Sequence, residues 1–155
     1  MKILITGGTG FIGSHLTEYL CSKGYEVVVY DRYNPFNNIG WLENSVYRNK
    51  IDIRLGDIRD YDVTQKMCSD CNYIFHLAAL IGIPYSFKAV KSYLDTNLLG
   101  TYNILEVAKN NRNIKKIILT STSEVYGSAQ KIPMYETHSL NPQSPYAASK
   151  IASDH

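Results

Sequence analysis

The sequence predicts an α/β fold in which a doubly wound parallel sheet carries helices on both faces. Three observations support this prediction. Short apolar runs of strand length alternate with longer amphipathic segments from the first residue onward. A glycine-rich turn separates the first strand from the first helix. Strands that alternate with helices form βαβ units, and such units build a parallel sheet.

The first half of the chain contains three predicted strands and two predicted helices. Residues 32–50 are rich in Asn and predict a long loop with one helical turn around Trp41 and Leu42. The predicted elements are a strand over Lys2–Thr6, a helix over Phe11–Lys23, strands over Tyr25–Tyr30 and Ile51–Leu55, and a helix that Asp60 caps and that ends near Ser69.

The second half continues the same alternation. A loop with Gly82 and Pro84 leads to one long helix, and a polar stretch with three prolines precedes the last helix. The predicted elements are a strand over Tyr73–Ala78, a helix over Val90–Asn110, a strand over Ile114–Ser121 and a helix that starts near Tyr146. The sheet therefore has five predicted strands.

The composition indicates a folded globular domain, with 45% hydrophobic and 19% charged residues in 155. A formal net charge of +2 is too small to indicate a nucleic-acid partner. No segment is typical of a signal peptide or a membrane span, so we expect a cytoplasmic protein without a membrane partner. Cys68 and Cys71 form a CxxC pair without a second pair, and we interpret them as structural rather than as metal ligands.

The glycine-rich turn has the spacing Gly7-x-x-Gly10-x-x-Gly13 between a strand and a helix, which is typical of a Rossmann dinucleotide-binding fold. Gly7 permits the tight turn, Gly10 lets a pyrophosphate approach the backbone, and Gly13 lets the helix pack closely on the sheet. The amide groups at the helix start, which include those of Phe11 and Ile12, then bind the phosphates.

An acidic residue, Asp31, ends the second predicted strand 18 residues after Gly13. Its carboxylate can accept hydrogen bonds from the adenosine ribose and would repel a 2′-phosphate. We therefore expect NAD rather than NADP, although the adjacent Arg32 could contact a phosphate.

Several motifs occur in a characteristic order along the whole chain. They are Thr6-Gly7-Gly8-Thr9-Gly10-Phe11-Ile12-Gly13, Gly56-Asp57-Ile58, His76-Leu77-Ala78-Ala79, Asn97-Leu98-Leu99-Gly100-Thr101 and Tyr146-x-x-x-Lys150. Together they resemble the extended short-chain dehydrogenase/reductase family of nucleotide-sugar epimerases and dehydratases. The resemblance implies that Asp57 and Ile58 hold the adenine, that Leu77, Ala78 and Ala79 line the cofactor cleft, and that Asn97 orders the active-site region.

The resemblance also implies that Tyr146 and Lys150 are a catalytic pair and that both contact the cofactor. Residues four apart share one face of a helix. A nearby ammonium stabilises the phenolate of a tyrosine, which can then take a proton from a sugar hydroxyl. Thr122 matches the Ser or Thr that completes the family's triad by hydrogen bonding to the reacting hydroxyl.

Glu124 follows the fifth predicted strand and favours one reaction over the others. A 4,6-dehydratase must remove the C5 proton after oxidation at C4, and a carboxylate can be the base. A 4-epimerase needs no such base. The Thr-Ser-Glu run resembles GDP-mannose 4,6-dehydratases and also UDP-glucuronate decarboxylases. Some dTDP-glucose dehydratases carry Asp where this chain has Ser123, so Glu124 itself would deliver the proton to the leaving hydroxyl.

A finer resemblance comes from residues 76–86, 120–127 and 143–146. They are similar to the NAD-dependent N-acetylglucosamine-nucleotide 4,6-dehydratases of legionaminic acid synthesis. The substrate would then be UDP- or GDP-N-acetylglucosamine. Tyr85, Ser86 and Ser123 are candidates to line the sugar site, and the alternative for Ser86 is a helix cap.

The chain ends at His155, inside the last predicted helix, and a doubly wound sheet usually has six or more strands. We therefore expect residues 1–155 to be one incomplete NAD-binding domain, without the last strands and the lobe that binds the nucleotide sugar. Such a fragment would bind NAD weakly and turn over nothing, and an inactive remnant is an alternative. The resemblance implies a homodimer for the full-length protein, through helices that include Val90–Asn110 and the helix that starts near Tyr146.

Overall fold

The computed structural model describes residues 1–36 and 38–155. The chain divides into two compact units. The first unit consists of residues 1–78 and 100–120, and the second consists of residues 79–99 and 121–155.

The first unit contains the whole sheet. Its five strands are all parallel, and their order is β3-β2-β1-β4-β5. This arrangement confirms the predicted doubly wound α/β fold. The strands are β1 (Lys2–Thr6), β2 (Glu26–Asp31), β3 (Asp52–Leu55), β4 (Tyr73–His76) and β5 (Lys116–Leu119).

Six α-helices lie along the described chain, together with three 3₁₀ turns at Gly40–Leu42, Arg48–Lys50 and Ser123–Tyr126. The helices are α1 (Phe11–Ser22), α2 (Tyr61–Cys68), α3 (Ile83–Ser86), α4 (Val90–Tyr93), α5 (Gly100–Asn110) and α6 (Pro145–Asp154). The Asp60 side chain accepts a hydrogen bond from Val63 N at 3.1 Å, which confirms its predicted role as the cap of α2.

The strand order reverses between β1 and β4, because the chain builds β2 and β3 on one side and then returns to the other. Thr6 and His76, the last residues of β1 and β4, are paired across this boundary. In open parallel sheets, ligands bind outside the carboxyl ends of the strands at this kind of reversal. The first unit therefore has a preferred ligand position next to Thr6.

Each face of the sheet has its own core. Successive residues of a strand point to opposite faces, so Val28 and Tyr30 of β2 belong to one cluster and Val27 and Val29 to the other. All four are almost completely buried. Cys68 and Cys71 are fully buried in the first cluster, in agreement with a structural role for the CxxC pair.

Two predictions between β4 and β5 were wrong in detail. Residues 83–86, predicted as loop, form helix α3, since Pro84 has the fixed backbone angle that suits a first helical turn. The single predicted helix over Val90–Asn110 is interrupted by a π-helical segment, Leu94–Leu99. A π-helical insertion widens one turn and is frequent at functional sites.

Within the described part of the chain, no helix combines the length and apolar character that a membrane span requires.

Candidate functional site

The glycine loop, Gly7–Gly13, joins β1 to α1 in the first unit. Gly7 has a φ of +71°, and a Cβ there would lie 2.9 Å from Ala78 N. A Cβ on Gly13 would press against Gly7 O and lie 2.7 Å from Gly8 Cα. Glycine at position 7 therefore permits the turn and the approach of Ala78, and glycine at position 13 permits the close packing of the start of α1 on the loop.

Gly10 differs from the other two glycines because it is exposed. Within the described residues, the single neighbour of a Cβ at this position would be Gly7 O at 3.3 Å. Gly10 is the N-cap of α1 and offers no side-chain cap, and the first turn of the helix carries no acidic residue. The backbone amides at the helix start and the positive end of its dipole thus remain available to an anion.

Two apolar residues, Phe11 and Ile12, follow Gly10 and expose 60% and 64% of their surface. The ring of Phe11 packs edge-on against that of Trp41, with 5.3 Å between the centroids. Trp41 N also donates a hydrogen bond to Thr9 O at 3.1 Å. The 3₁₀ turn at Gly40–Leu42, predicted from sequence around Trp41, therefore packs against the glycine loop.

The Asp31 carboxylate at the end of β2 binds the glycine loop directly. Its Oδ2 accepts hydrogen bonds from Thr9 N at 3.0 Å and from Thr9 Oγ1 at 2.5 Å. Its Oδ1 accepts one from Arg32 N at 2.8 Å. A carboxylate has about four acceptor sites, so Asp31 retains acceptor capacity for a ribose hydroxyl.

The segment after β4 lies against the start of the glycine loop. Leu77 N and Ala78 N each donate to Thr6 Oγ1 at 3.1 Å. The approach of Ala78 N to Gly7 then brings these two residues, predicted to line the cofactor cleft, against the loop.

Asp57 and Ile58, predicted to hold the adenine, have different surroundings. The Asp57 carboxylate pairs with the Arg59 guanidinium at 2.6 Å, and this hydrogen-bonded cation lowers the pKa of Asp57. The side chain of Ile58 is buried in the core beside Gly100.

The second unit contains the predicted catalytic residues. Thr122 is the N-cap of the 3₁₀ turn Ser123–Tyr126, and its Oγ1 accepts a hydrogen bond from Glu124 N at 3.3 Å. This turn directs both Ser123 and Glu124 to exposed positions. Ser121 Oγ donates to Asp154 Oδ2 at 2.5 Å, which ties the segment before the turn to the end of α6.

Tyr146 and Lys150 lie one turn apart on α6, and both are buried, at 8% and 7% exposure. Ser144 caps this helix by accepting a hydrogen bond from Ala147 N at 3.0 Å. Burial lowers the pKa of Lys150, with the Asp154 carboxylate as the smaller, opposing influence. The ring of Tyr93 packs edge-on against that of Tyr146, with centroids 6.3 Å apart.

Asn97 lies in the π-helical segment and connects three parts of the second unit. Its Oδ1 accepts from Leu80 N at 2.8 Å, and its Nδ2 donates to Leu80 O and to Ser149 Oγ, each at 2.9 Å. Its backbone oxygen accepts from Ser153 Oγ at 2.7 Å. Since Ser149 lies between Tyr146 and Lys150 on α6, these bonds hold the helix that carries the predicted catalytic pair.

Three other predicted residues also lie in the second unit. Ala79 is half-buried, and Tyr85 is exposed. Ser86 is fully buried, and its hydroxyl donates to Ile83 O at 2.7 Å. Ser86 ends α3 and does not cap the next helix, so the cap that we considered as its alternative role was wrong.

The two units thus divide the predicted site residues by role. The first unit contains Gly7, Gly10, Phe11, Ile12, Gly13, Asp31, Asp57, Ile58, Leu77 and Ala78. The second contains Ala79, Ser86, Asn97, Thr122, Ser123, Glu124, Tyr146 and Lys150.

Sequence reasoning missed several side chains that hold these residues in place. Ser149 and Ser153 follow one another at helical spacing beside the YxxxK pair, and that spacing was an available signal. Thr9 could have been found as the only hydroxyl residue between Gly7 and Gly13. Tyr93, whose hydroxyl donates to Gly82 O at 2.6 Å, had no signal in the sequence.

Comparison with known proteins places the chain in a family. The family described as GDP-mannose 4,6 dehydratase matches residues 4–155. A bifunctional UDP-glucose 4-epimerase and UDP-xylose 4-epimerase from Pisum sativum is 32% identical over 157 residues, which cover 97% of this chain and 45% of that protein.

Two solved structures show the same relationship. The dTDP-glucose 4,6-dehydratase from Streptomyces venezuelae, solved with NAD bound, has 34% identity and a TM-score of 0.89 over 99% of this chain and 49% of its own. The UDP-N-acetylglucosamine 4-epimerase from Methanobrevibacter ruminantium, in complex with UDP-N-acetylmuramic acid, has 36% identity and a TM-score of 0.86 over 98% and 47%.

The chain spans about half the length of the relatives it matches. The match to the family nevertheless runs through nearly every residue, including the glycine loop and the segment of Tyr146 and Lys150. The chain belongs to the GDP-mannose 4,6-dehydratase family, among the NAD-dependent epimerases and dehydratases of nucleotide sugars.

Proposed function

We propose that the protein is an NAD-dependent nucleotide-sugar 4,6-dehydratase whose substrate is UDP- or GDP-N-acetylglucosamine. One observation carries the proposal. The second unit combines the buried pair Tyr146 and Lys150 with an exposed carboxylate, Glu124, whose backbone amide bonds Thr122. Oxidation at C4 needs Tyr146 and Lys150, and elimination across C5 and C6 also needs the carboxylate of Glu124.

The first unit fits NAD. The exposed Gly10 leaves room for a pyrophosphate, and the uncapped start of α1 offers amide donors to its oxygens. The Asp31 carboxylate, held at the loop by Thr9, suits ribose hydroxyls and disfavours a 2′-phosphate. When bound, NAD supplies the acceptor for the hydrogen on C4 and the donor that returns it at C6.

Tyr146 takes the proton of the C4 hydroxyl in this proposal. A phenol titrates near pH ~10 in water, so it needs help to act as a base near neutral pH. The Lys150 ammonium, one helical turn away, supplies a positive charge that favours the phenolate. Thr122 donates or accepts a hydrogen bond at the same sugar hydroxyl.

Glu124 then removes the C5 proton, which the C4 carbonyl has made acidic. The electron pair of the broken C5–H bond forms a C5=C6 double bond, and the C6 hydroxyl leaves as water. Because Ser123 is a poor acid, Glu124 returns the proton that it took to this leaving hydroxyl. When hydrogen is returned at C6, C5 takes a proton from the solvent, and Tyr146 releases to the solvent the proton that it took from the C4 hydroxyl. We propose that the exposed Ser123 contacts the substrate. Ser86 remains a candidate for the substrate side, although its hydroxyl is buried and donates to Ile83 O.

The choice of an N-acetylhexosamine rests on the resemblance of residues 76–86 to dehydratases of that type. The similarity to an epimerase that acts on UDP-N-acetylglucosamine is a further support. A 4-epimerase is the second candidate, because both reported epimerases share the Rossmann half with this chain.

The relatives contain a further half that this chain does not span, so the test joins the chain to that half of a relative. We suggest a fusion in which the chain replaces the matching half of the Streptomyces venezuelae dehydratase. It is incubated with NAD and, separately, with dTDP-glucose, UDP- and GDP-N-acetylglucosamine and UDP-glucuronate, and the products are analysed by mass spectrometry. A dehydratase yields a product lighter by one water, whereas an epimerase yields an unchanged mass with inverted C4, and a decarboxylase releases carbon dioxide.

The role of Glu124 is tested in the same fusion in deuterium oxide. Glu124→Gln should abolish both the loss of water and the entry of deuterium at C5. Glu136→Gln changes another exposed carboxylate of the second unit and is the matched control. Full dehydration by Glu124→Gln would show that another group is the base, and the 155-residue chain without the fusion should turn over nothing.

We also propose that the full-length protein is a homodimer. Val90 and Leu94, two apolar residues one helical turn apart, expose 43% and 40% of their surface. Exposed apolar residues at helical spacing favour a protein contact. Sedimentation should give twice the monomer mass, and Leu94→Glu should give the monomer. A wild-type monomer at all concentrations would exclude the dimer.

A further inference from the structure

A buried imidazole bridges two threonines at the reversal of the sheet. His76 Nδ1 lies 2.7 Å from Thr6 Oγ1, and His76 Nε2 lies 3.0 Å from Thr101 Oγ1. All three residues belong to the first unit, and each is at most 4% exposed. The chain of contacts thus runs from the end of β1, through the end of β4, to helix α5.

The contacts of Thr6 fix where its proton lies. Its Oγ1 accepts hydrogen bonds from Leu77 N and from Ala78 N, each at 3.1 Å, although the Leu77 amide is shared with Thr6 O at 3.2 Å. A hydroxyl has two acceptor lone pairs and one proton. The two amides use the lone pairs, so the proton of Thr6 is donated to His76 Nδ1.

The protonation state of His76 follows from this count. A proton on Nδ1 would place three donors around one hydroxyl oxygen and turn the Thr6 proton away from the acceptor at 2.7 Å. Nδ1 is therefore the acceptor nitrogen, and in a neutral imidazole the other nitrogen then carries the proton. Nε2–H then donates to Thr101 Oγ1, which lies 3.0 Å away.

We propose that His76 is a positioning residue, held as the neutral Nε2–H imidazole, that fixes the Leu77–Ala78 backbone against the glycine loop. The ring orients the Thr6 hydroxyl so that both of its lone pairs face the amides of Leu77 and Ala78. Ala78 N in turn packs against Gly7, where a Cβ would approach to 2.9 Å. The part of this inference that concerns cofactor affinity rests on the proposed binding of NAD.

The protonation state is measured directly by nuclear magnetic resonance of the imidazole nitrogens in the 155-residue chain. The chain has four histidines, and the signals of His76 are assigned by their loss in His76→Asn. We expect an unprotonated Nδ1 and a protonated Nε2 at neutral pH. A protonated Nδ1, alone or together with Nε2, would overturn the proposal whether or not NAD binds.

The positioning role is tested by a pair of substitutions at Thr6. Thr6→Val keeps the branched shape and removes the hydroxyl, whereas Thr6→Ser keeps the hydroxyl. We expect that His76 in Thr6→Val is a mixture of the two neutral forms of the imidazole, one protonated on Nδ1 and one on Nε2. Thr6→Val should also weaken NAD binding by about tenfold, a loss of ~1.4 kcal/mol. Thr6→Ser should keep both the Nε2–H form and the NAD affinity of the wild type. Equal NAD affinity in all three folded proteins would contradict the role.

Thr101→Val provides an independent variant if Thr6→Val does not fold. It removes the acceptor of Nε2–H and should shift the His76 signals toward a mixture without touching the loop. Unchanged signals in Thr101→Val would also contradict the bridge. If the wild-type chain binds no NAD at all, the proposed function fails while the nitrogen spectra still decide the state of His76.

Discussion

Asp31 holds the glycine loop through both hydrogen-bond donors of Thr9. One carboxylate oxygen, Oδ2, accepts from the backbone amide at 3.0 Å and from the side-chain hydroxyl at 2.5 Å. The residue predicted to recognise the ribose is therefore also a structural anchor of the loop predicted to bind the pyrophosphate. Asp31 links these two parts of the cofactor site within the first unit.

Removal of the Thr9 hydroxyl should weaken this anchor. Hydrogen bonds to charged groups contribute about 1.5–3 kcal/mol, and the half-buried position of Asp31 places the expected loss near the lower end. Thr9→Val should lower the free energy of unfolding by about 1–2 kcal/mol and also weaken NAD binding. Denaturant unfolding measures the first effect, and Thr9→Ser, which keeps the hydroxyl, should behave like the wild type. A Thr9→Val protein as stable as Thr9→Ser would show that the bond contributes nothing.

Alanine at Gly10 should mainly weaken NAD binding, whereas alanine at Gly13 should mainly destabilise the fold. A Cβ at Gly13 would press into Gly7 O, so Gly13→Ala should destabilise the fold by about 1–3 kcal/mol or more. A Cβ at Gly10 would meet Gly7 O at 3.3 Å, a tight contact that needs a shift of a few tenths of an ångström, and it would face the proposed pyrophosphate position. Gly10→Ala should lower the thermal midpoint much less than Gly13→Ala does, and it should weaken NAD binding about tenfold. The expectation is contradicted if Gly10→Ala unfolds as readily as Gly13→Ala, or if it binds NAD like the wild type.

The buried position of Lys150 should give the protein a specific pH dependence. Burial lowers the pKa of the folded-state ammonium below its ordinary value of 10.5. Between the lowered pKa and 10.5 the unfolded chain binds more protons, so stability gains from Lys150 as the pH rises through this window. The free energy of unfolding should be measured for the wild type and for Lys150→Met from neutral pH to pH ~10.5. As the pH rises, the free energy of the wild type should increase relative to that of Lys150→Met. A constant difference across this range would mean that the pKa is not lowered.

The three thiols should differ in reactivity. Burial raises the pKa of Cys68 and of Cys71 to about 12, and both are completely enclosed. Cys21 is only partly buried. Since the thiolate is the reactive form, a chromogenic disulfide reagent should modify one thiol quickly and two more only after unfolding. Cys21→Ser should remove the fast phase, and rapid modification of that variant would contradict a structural role for the CxxC pair.

Elements with a local cause could be predicted from the sequence. The glycine spacing predicted the β1–α1 turn, because Gly7 and Gly13 avoid close contacts with Ala78 and with the loop backbone, respectively. Asp60 was identified as a cap, because its partner, Val63 N, is three residues away. The parallel sheet followed from the alternation of strands and helices, which needs no knowledge of distant contacts.

Features that depend on distant residues could not be predicted. The π-helical segment contains Asn97, whose side chain bonds Leu80 and Ser149, residues 17 and 52 positions away. A helical pattern in the sequence does not reveal such bonds, so the helix was predicted to be continuous. The same holds for Thr6 and His76, which are 70 residues apart and meet only because β1 and β4 pair.

We claim that this chain binds NAD through the glycine loop and Asp31, and titration of the 155-residue chain with NAD and with NADP tests this binding. Trp41 is the single tryptophan, and its backbone amide bonds Thr9 O, so its fluorescence reports on the loop. We predict a saturable change in Trp41 fluorescence with NAD and a weaker affinity for NADP. Asp31→Asn should reduce the difference between the NAD and NADP affinities. Tighter binding of NADP, or the absence of saturable binding of either dinucleotide by both fluorescence and calorimetry, would contradict the claim.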